Sequence, residues 1–511
     1  MAYIISESTN SSLHDCRTPT PIDRQAIGDH TFYVLDDCRA ISLANDCRLT
    51  FPLHDCRAPQ LVPPLPPAAL RSLRPHPLLQ VLPLDGEHVV AFVPSLSQVA
   101  VLDRAAQALL DWLPLRDRRL DAAALNELLE LRRAGLLTDG DGTIPPPPEP
   151  DVLAAWLHVT NECNLRCSYC YLNKTGESMS EPTALAAIDA VVRSARAHGY
   201  RGIALKYAGG EASLRMPLVE RTHSYALEQA AAHGLACQAG LLSNGTGLTA
   251  RKLESIRRLG LQLMISLDGM GAFHDDQRPT IGGHGSFDAA QRGVERAVDT
   301  GITPNISITV TGQSVAGLPN LVAWLLDREL PFTISFYRDN DCSSSFAQLQ
   351  IDERRIIEGM RAAYAAIERN PPRWSLLGSL LDRADLSMPH RRTCAAGEHY
   401  MVIDHHGRIA KCQMTIEQPV ATVAAADPLA LIRADQIGVQ NLPVDQKEGC
   451  RSCAWRYWCA GGCAIATYRA TGRYDVQSPN CGIYKALYPD LLRLEGRRLL
   501  HWHHLAQAIA D

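Results

Sequence analysis

The chain has 511 residues, of which 46% are apolar and 16 are cysteine, with a net charge of −5; that is length for roughly three domains of about 150 residues each, and the acidic balance gives no basic footprint for nucleic acid. The sequence has no uninterrupted apolar run of the roughly 18 residues a membrane span needs, and its start lacks the charged-then-apolar layout of a signal peptide. A cytoplasmic protein that does not engage a membrane is therefore expected, and in that reducing compartment so many cysteines point to metal or cluster ligation rather than disulfides.

Residues 1–70 stand apart from the rest. Asp-Cys-Arg recurs at 15–17, 37–39, 46–48 and 55–57, the last three evenly spaced by nine, and LHDCR recurs whole at 13–17 and 53–57. Such repetition without a helix or strand period predicts a low-order tail, and LVPPLPP (61–67) reads as an extended connector. Three readings stay open: a translated repeat without function, a substrate-like tail modified in cis, or a source of extra cluster ligands.

Residues 71–144 predict a small unit of their own. LLQVLPL and VVAFVPS read as strands joined by the turn Asp85-Gly86-Glu87. The stretch SLSQVAVLDRAAQALLDWL carries apolar residues at helical spacing, and a second helix, DAAALNELLELRRAGLL, runs into Gly135. The proline-rich segment 145–152 closes the unit as a stiff linker.

From 153 to 385 strands and helices alternate. AAWLHVT (154–160) leads straight into CNLRCSYCY (163–171), where Cys163, Cys167 and Cys170 crowd one short loop. Three soft thiolates there suit an iron-sulfur cube with one iron left free, the competing reading being a zinc knuckle, which more often shows paired Cys-x2-Cys units. Helices around 181–198, 217–233, 249–259 and 287–300 each precede a strand, GIALKYAG, CQAGLLSN, LQLMISLDG and PNISITVT. Regular alternation means parallel strands joined by right-handed crossovers, with sites expected at the strands' C-terminal ends. Gly209-Gly210-Glu211, Ser243-Asn244, and Ser266 with Asp268 lie at three such ends, and Arg278 follows in HDDQRPT. Taken singly the Asn-Gly and Asp-Gly pairs are ordinary turn chemistry; as a set at consecutive strand ends they point to a ligand site.

Residues 386–511 carry seven more cysteines in order: Cys394 and Cys412 either side of Gly407, then Cys450-x2-Cys453-x5-Cys459-x3-Cys463, and Cys481. Seven exceed the four ligands of a zinc site. Cys237, inside a predicted strand, reads as a buried core thiol.

The cysteine loop with its strand-end set resembles the CxxxCxxC signature of radical S-adenosylmethionine (radical SAM) enzymes. The wider pattern, CNLxCxYCY, SNGT, SLDGxxxxHDxxR and GxGSF (283–287), is most similar to their sulfatase-maturating and peptide-maturating branch. The resemblance implies a partial (β/α)6 barrel and a 4Fe-4S cluster on Cys163, Cys167 and Cys170 whose free iron is chelated by S-adenosylmethionine. It puts Tyr169 beside the adenine, Gly209, Gly210 and Glu211 at the cofactor's amino group, with Ala212 in place of the usual proline, and Arg278 on its carboxylate. Ser243, Asn244, Ser266 and Asp268 would hold the ribose and the methionine part.

The seven later cysteines resemble a SPASM domain. By that resemblance Cys450, Cys453, Cys459 and Cys481 close one auxiliary 4Fe-4S cluster, and Cys394, Cys412 and Cys463 hold another. Relatives place one more cysteine a few residues earlier, where this chain reads DLSMPHRRT, so the fourth iron is open or takes a distant ligand such as Cys342. Residues 71–144 resemble the PqqD-like winged-helix modules that offer a strand edge to a precursor's leader, a plain packing module being the other reading.

Together these resemblances imply a three-cluster maturase that abstracts hydrogen from a ribosomally made precursor peptide. The product would be a thioether or carbon-carbon cross-link, and the electrons would come from a reductant such as flavodoxin or ferredoxin. Formylglycine-forming maturation is the alternative, weakened because Gln413 stands where those enzymes carry an aspartate and an amide takes up no proton at neutral pH. A rival from another class is a non-catalytic iron-sulfur electron-transfer or binding protein.

Overall fold

The computed structural model describes residues 72–510 apart from 97, 115–121, 148–149 and 344–345, together with the pair Phe32–Tyr33. All four Asp-Cys-Arg tripeptides lie outside the described residues.

The first unit is an antiparallel sheet with two helices. Strands β1 (Phe32–Tyr33), β3 (Gln80–Pro83), β4 (His88–Phe92) and β5 (Val99–Asp103) run in the order β1-β5-β4-β3, while β2 (Arg74–Pro75) pairs with β6 (Leu137–Thr138). The β3–β4 turn is fixed by Asp85, whose Oδ1 accepts the amides of Glu87 and His88, both at 2.7 Å.

The helix expected across 95–113 is half strand. Val99–Asp103 pairs residue for residue with His88–Phe92, and only Arg104–Asp111 is helical (α1), followed by α2 (Ala122–Arg133). The physical reason is local: VAVL is a run buried throughout, which suits a sheet interior, and Asp103 starts the helix by accepting the Ala106 amide at 2.8 Å.

The core sheet has nine strands in the order β12-β11-β10-β9-β8-β7-β13-β14-β15. Its parallel series is β7 (Val152–Thr160), β8 (Gly202–Gly209), β9 (Ala236–Ser243), β10 (Gln262–Ser266), β11 (Asn305–Val310) and β12 (Phe332–Phe336). Between them lie α3 (Glu181–Ala197), α4 (Met216–Ala232), α5 (Ala250–Arg258), α6 (Phe287–Asp299) and α7 (Leu318–Leu326). Each parallel neighbour is the next strand in sequence, the arrangement that right-handed βαβ crossovers generate.

All nine residues of β7 are buried, because this strand lies inside the sheet and is covered on both faces. Truncating a fully buried residue such as Leu205 on β8 to alanine would cost about 2–5 kcal/mol. Helix α3 starts where Ser180 accepts the Thr183 amide, and stops before Gly199, whose φ of 70° lets the chain turn back into β8.

The sheet does not end near residue 385. Strand β13 (Tyr400–Ile403) pairs in parallel with β7, and β14 (Arg408–Ala410) and β15 (Ala421–Thr422) continue it antiparallel. Helix α8 (Glu353–Arg369) packs on the closing helix α9 (Cys481–Ala510), which also touches β3, β4 and β5. The first unit is thereby docked on the cysteine-rich region: Phe92 lies 5.8 Å from Trp455 and 6.0 Å from Trp458, and Trp458 Nε1 donates to the Leu96 carbonyl. Among the described residues no helix is long and apolar enough to cross a membrane.

Candidate active site and cysteine centres

The loop that leaves β7 is held from two sides. Along one, Arg166 and Ser168 donate their amides to the carbonyls of Pro279 and Gln277 at 2.7 and 2.9 Å, so the segment around Arg278 runs beside the cysteines. Along the other, Asn244 Nδ2 donates to Asn164 Oδ1 and Asn164 Nδ2 donates to Thr246 Oγ1, both at 2.8 Å. Cys163, Cys167 and Cys170 are free thiols in this loop. Burial pushes the Cys163 thiol up and the Cys167 thiol to about 11, the neighbouring sulfurs adding to the effect and Arg278 opposing it at Cys167. Three soft thiols from one short loop make a donor set apt for an iron-sulfur cluster.

Tyr169, Asp268 and Arg278 form one group beside that loop, Asp268 and Arg278 buried and Tyr169 partly so. Tyr169 Oη donates to Asp268 Oδ2 at 2.5 Å, the Thr309 amide donates to Asp268 Oδ1 at 2.8 Å, and Arg278 Nε stands 3.3 Å from Oδ2. The guanidinium also lies over the Tyr169 ring at 5.6 Å. Burial works against the charge on Arg278, but Tyr169, Asp268 and Cys167 outweigh it and raise its pKa; burial raises Asp268 in spite of Arg278. Arg278 Nη1 is buried without a hydrogen-bond partner, an open donor that fits a ligand carboxylate.

Glycines at 209 and 210 have a reason other than ligand approach. A Cβ on Gly209 would stand 2.2 Å from the Thr160 carbonyl oxygen and one on Gly210 2.3 Å from that of Glu162, so the end of β8 touches the start of the cysteine loop. Glu211 is buried and internally engaged: Oε1 accepts from the Ser213 amide and Ser243 Oγ, and Oε2 from the Asn244 amide at 2.7 Å. Glu211, Ser243 and Asn244 thus converge on one another, whereas Ser266 ends β10 two residues before Asp268.

The HDxxR and GxGSF motifs interlock. Asp275 Oδ1 accepts the amides of Ser286 and Phe287, both at 2.7 Å, and Ser286 Oγ donates to the Arg278 carbonyl at 2.6 Å. Asn164, Thr246 and Gln277 were not singled out from the sequence, although they lie inside the motifs CNLRCSYCY, SNGT and HDDQRPT.

The later cysteines gather in two groups. Cys450, Cys453, Cys459 and Cys481 line one pocket with Trp455, Tyr484 and Tyr488. Cys394, Cys412 and Cys463 pack together around Ala464 and Val439. Burial, then Cys459, drives the Cys450 thiol up to about 12, and burial likewise raises Cys459 and Cys481. Lys447 is buried near members of both groups, its Nζ donating to the Ala460 carbonyl at 2.9 Å.

Cys342 does not join the second group. Its sulfur lies 3.5 Å from the Tyr171 carbonyl and from Asn173 Oδ1, at the cysteine loop, because the chain after β12 returns across the sheet end. Cys237 packs against the core from β9, as a structural thiol would. Gln413 is buried, its Oε1 accepting from Tyr400 Oη at 3.3 Å.

Residues 157–324 match the family model described as the radical SAM superfamily. The chain carries a radical SAM domain, and that family works with S-adenosylmethionine and a 4Fe-4S cluster.

Among individual proteins it is similar to pre-heme d1 synthase of Dinoroseobacter shibae, 32% identical over 34% of this chain and 40% of that protein. It is likewise similar to the sporulation killing factor maturation protein SkfB of Bacillus subtilis, 27% identical over 33% of this chain and 38% of that protein. The chain therefore spans about two fifths of the length of these curated relatives. In solved structures the same fold is seen in native anSMEcpe with bound AdoMet and Cp18Cys peptide, at TM-score 0.55 and 16% identity, covering 67% of this chain and 99% of that one.

Proposed function

We propose that the protein is a radical SAM peptide maturase. Bound at Cys163, Cys167 and Cys170, the cluster and S-adenosylmethionine would supply a 5′-deoxyadenosyl radical that takes hydrogen from an unactivated carbon. The chain's own residues position and enclose. Arg278, its charge secured by Asp268 and Tyr169, offers Nη1 to the cofactor carboxylate. The Asn164–Asn244 and Ser168–Gln277 hydrogen bonds keep the cysteine loop at the strand ends.

The observation that carries the reading is the Tyr169 hydroxyl on the buried Asp268–Arg278 pair, set beside the three thiols of the cysteine loop within the matched family region. Two further facts favour a peptide as substrate. The first unit has a sheet edge, β5, that already takes an antiparallel strand from elsewhere in the chain, Phe32–Tyr33, which is the pairing a leader peptide would make. That unit is also docked, through Phe92 and Trp455, on the pocket lined by Cys450, Cys453, Cys459 and Cys481. In this reading the two cysteine groups hold auxiliary 4Fe-4S clusters that take an electron or bind substrate, and a flavodoxin or ferredoxin is the reductant. The product would be a thioether or carbon-carbon cross-link. Formylglycine formation is disfavoured by Gln413, whose amide accepts from Tyr400 and offers no base.

The test is anaerobic reduction of the reconstituted enzyme with S-adenosylmethionine, with and without a small precursor peptide encoded beside its gene. 5′-Deoxyadenosine together with a peptide lighter by two hydrogens is expected. Absence of 5′-deoxyadenosine under reduction would leave only the non-catalytic reading standing.

A further inference from the structure

Away from the cofactor groups, the turn between β13 and β14 presents two consecutive histidines, and the segment returning from the cysteine loop to α3 lays a carboxylate across them. His405 Nε2 is 3.5 Å from Glu177 Oε2, and His406 Nε2 is 3.8 Å from Glu177 Oε1. One ligand atom from each of the three lies within 4.8 Å of the others. These separations are too long for good hydrogen bonds. They suit three donors around a common centre, since ligands about 2.1 Å from a tetrahedral ion stand about 3.4 Å apart.

A second observation points the same way. The His405 side chain is 10% exposed, and neither ring nitrogen has a hydrogen-bond partner. A buried imidazole left so is costly unless something else takes its lone pair. Its ring is 4.1 Å from that of His406 and 5.9 Å from that of the buried His158, whose Nε2 is turned to Asn161.

Both arms are braced independently of any ion. Asp404 Oδ1 accepts the amides of His406 and Arg408 at 2.9 and 2.8 Å, fixing the histidine turn. On the other arm the Glu177 carbonyl accepts the Asn161 amide at 2.9 Å and Thr160 Oγ1 at 3.1 Å, while Glu177 Oε2 accepts Thr175 Oγ1 at 2.9 Å.

We propose that Glu177, His405 and His406 form a site for a divalent transition-metal ion, zinc being the apt choice, which staples the loop following Cys170 to the β13–β14 turn. Two neutral imidazoles and a carboxylate are borderline donors suited to zinc, and the half-exposed Glu177 and His406 leave a coordination position for water. The site joins the element that carries the first three cysteines to the strand pair that leads into Cys412, so it would act on loop order rather than on the reaction.

The experiment uses the anaerobically reconstituted full chain, dialysed against zinc and then against buffer, with zinc and iron counted by mass spectrometry. Wild type is expected to hold one zinc ion per chain more than Glu177→Gln or His406→Ala at equal iron content. Affinity in a competing-chelator titration should fall at least about tenfold in either variant. Because both positions are half exposed, these variants keep the fold that loss of His405 could disturb. Zinc should also raise the melting temperature of wild type and leave that of His406→Ala unchanged. Equal zinc content in wild type and both variants, or no zinc retained by wild type, overturns the assignment.

Discussion

Asp268 and Arg278 face each other at the end of the parallel sheet, Oδ2 to Nε at 3.3 Å, with side chains 0% and 9% exposed. Removing one partner of a buried ion pair strands the other charge, at about 3–5 kcal/mol. Asp268→Asn should therefore lower unfolding free energy by that order and weaken S-adenosylmethionine binding, because Arg278 and Tyr169 both lose their anchor. Chemical unfolding and calorimetric titration check the two effects. Wild-type stability in Asp268→Asn would mean that the pair is not held as described.

Replacing Cys163, Cys167 and Cys170 together with alanine should remove about four irons per chain, one cube's worth. The two later cysteine groups should keep theirs, since they lie on other elements. 5′-Deoxyadenosine output should vanish; unchanged output would refute the assignment of these three thiols.

The group Cys394, Cys412 and Cys463 offers three thiols, and Cys342 sits at the radical SAM loop instead. A cluster held there would have one iron open to an outside ligand. Adding a small thiol should shift its electron paramagnetic resonance signal, because a new soft ligand changes the iron's environment. Cys342→Ala should leave that cluster intact, and its loss in the variant would restore Cys342 as the fourth ligand.

Much of this arrangement was legible in the sequence for a definable reason. The alternation from Val152 to Phe336 is regular, with strands of buried apolar residues, and the cysteine spacing is short enough to be read without knowing the fold. Where the reading failed, local and tertiary signals disagreed: Val99–Asp103 lies in a helix-period stretch, but pairing with His88–Phe92 overrides that period. The sequence also does not show that Gly209 and Gly210 are crowded by Thr160 and Glu162, which only the β7–β8 pairing brings close. The Glu177–His405–His406 cluster could not be read from the sequence, because Glu177 stands more than two hundred residues before the two histidines and meets them through the β13–β7 pairing.

Acid should destabilise the protein before its carboxylates titrate. Burial lowers His274 and His399 from 6.5 to about 3, with nearby arginines adding to it. The unfolded chain takes up these protons as pH falls through 6.5, whereas the fold refuses them until near 3, so stability is fully present above 6.5 and drops below it. At pH 5.5 each group removes about 1.4 kcal/mol. Urea unfolding at pH 7.5 and 5.5 measures the loss, and His399→Gln should show a loss smaller by about that amount. An identical pH dependence in the variant would exclude His399 as a contributor.

The amino-terminal tail gives the most exposed prediction. Phe32–Tyr33 pairs antiparallel with Val101–Leu102, so the tail and any incoming leader strand would compete for one edge of β5. Because it is part of the same chain, the tail meets that edge at an effective concentration of about millimolar order, which a free peptide must exceed to displace it. Deleting residues 1–70 should therefore speed amide exchange in the peptide covering Val99–Asp103 and strengthen binding of an added precursor. The same tail carries four Asp-Cys-Arg tripeptides, and trypsin cuts after each arginine. After anaerobic turnover without added peptide, fragments ending at Arg17, Arg39, Arg48 or Arg57 that are lighter by two hydrogens and resist thiol alkylation would identify the tail as a substrate held in cis. Unmodified, fully alkylatable fragments, with exchange at Val99–Asp103 unchanged by the deletion, would leave the tail neither substrate nor occupant of that edge.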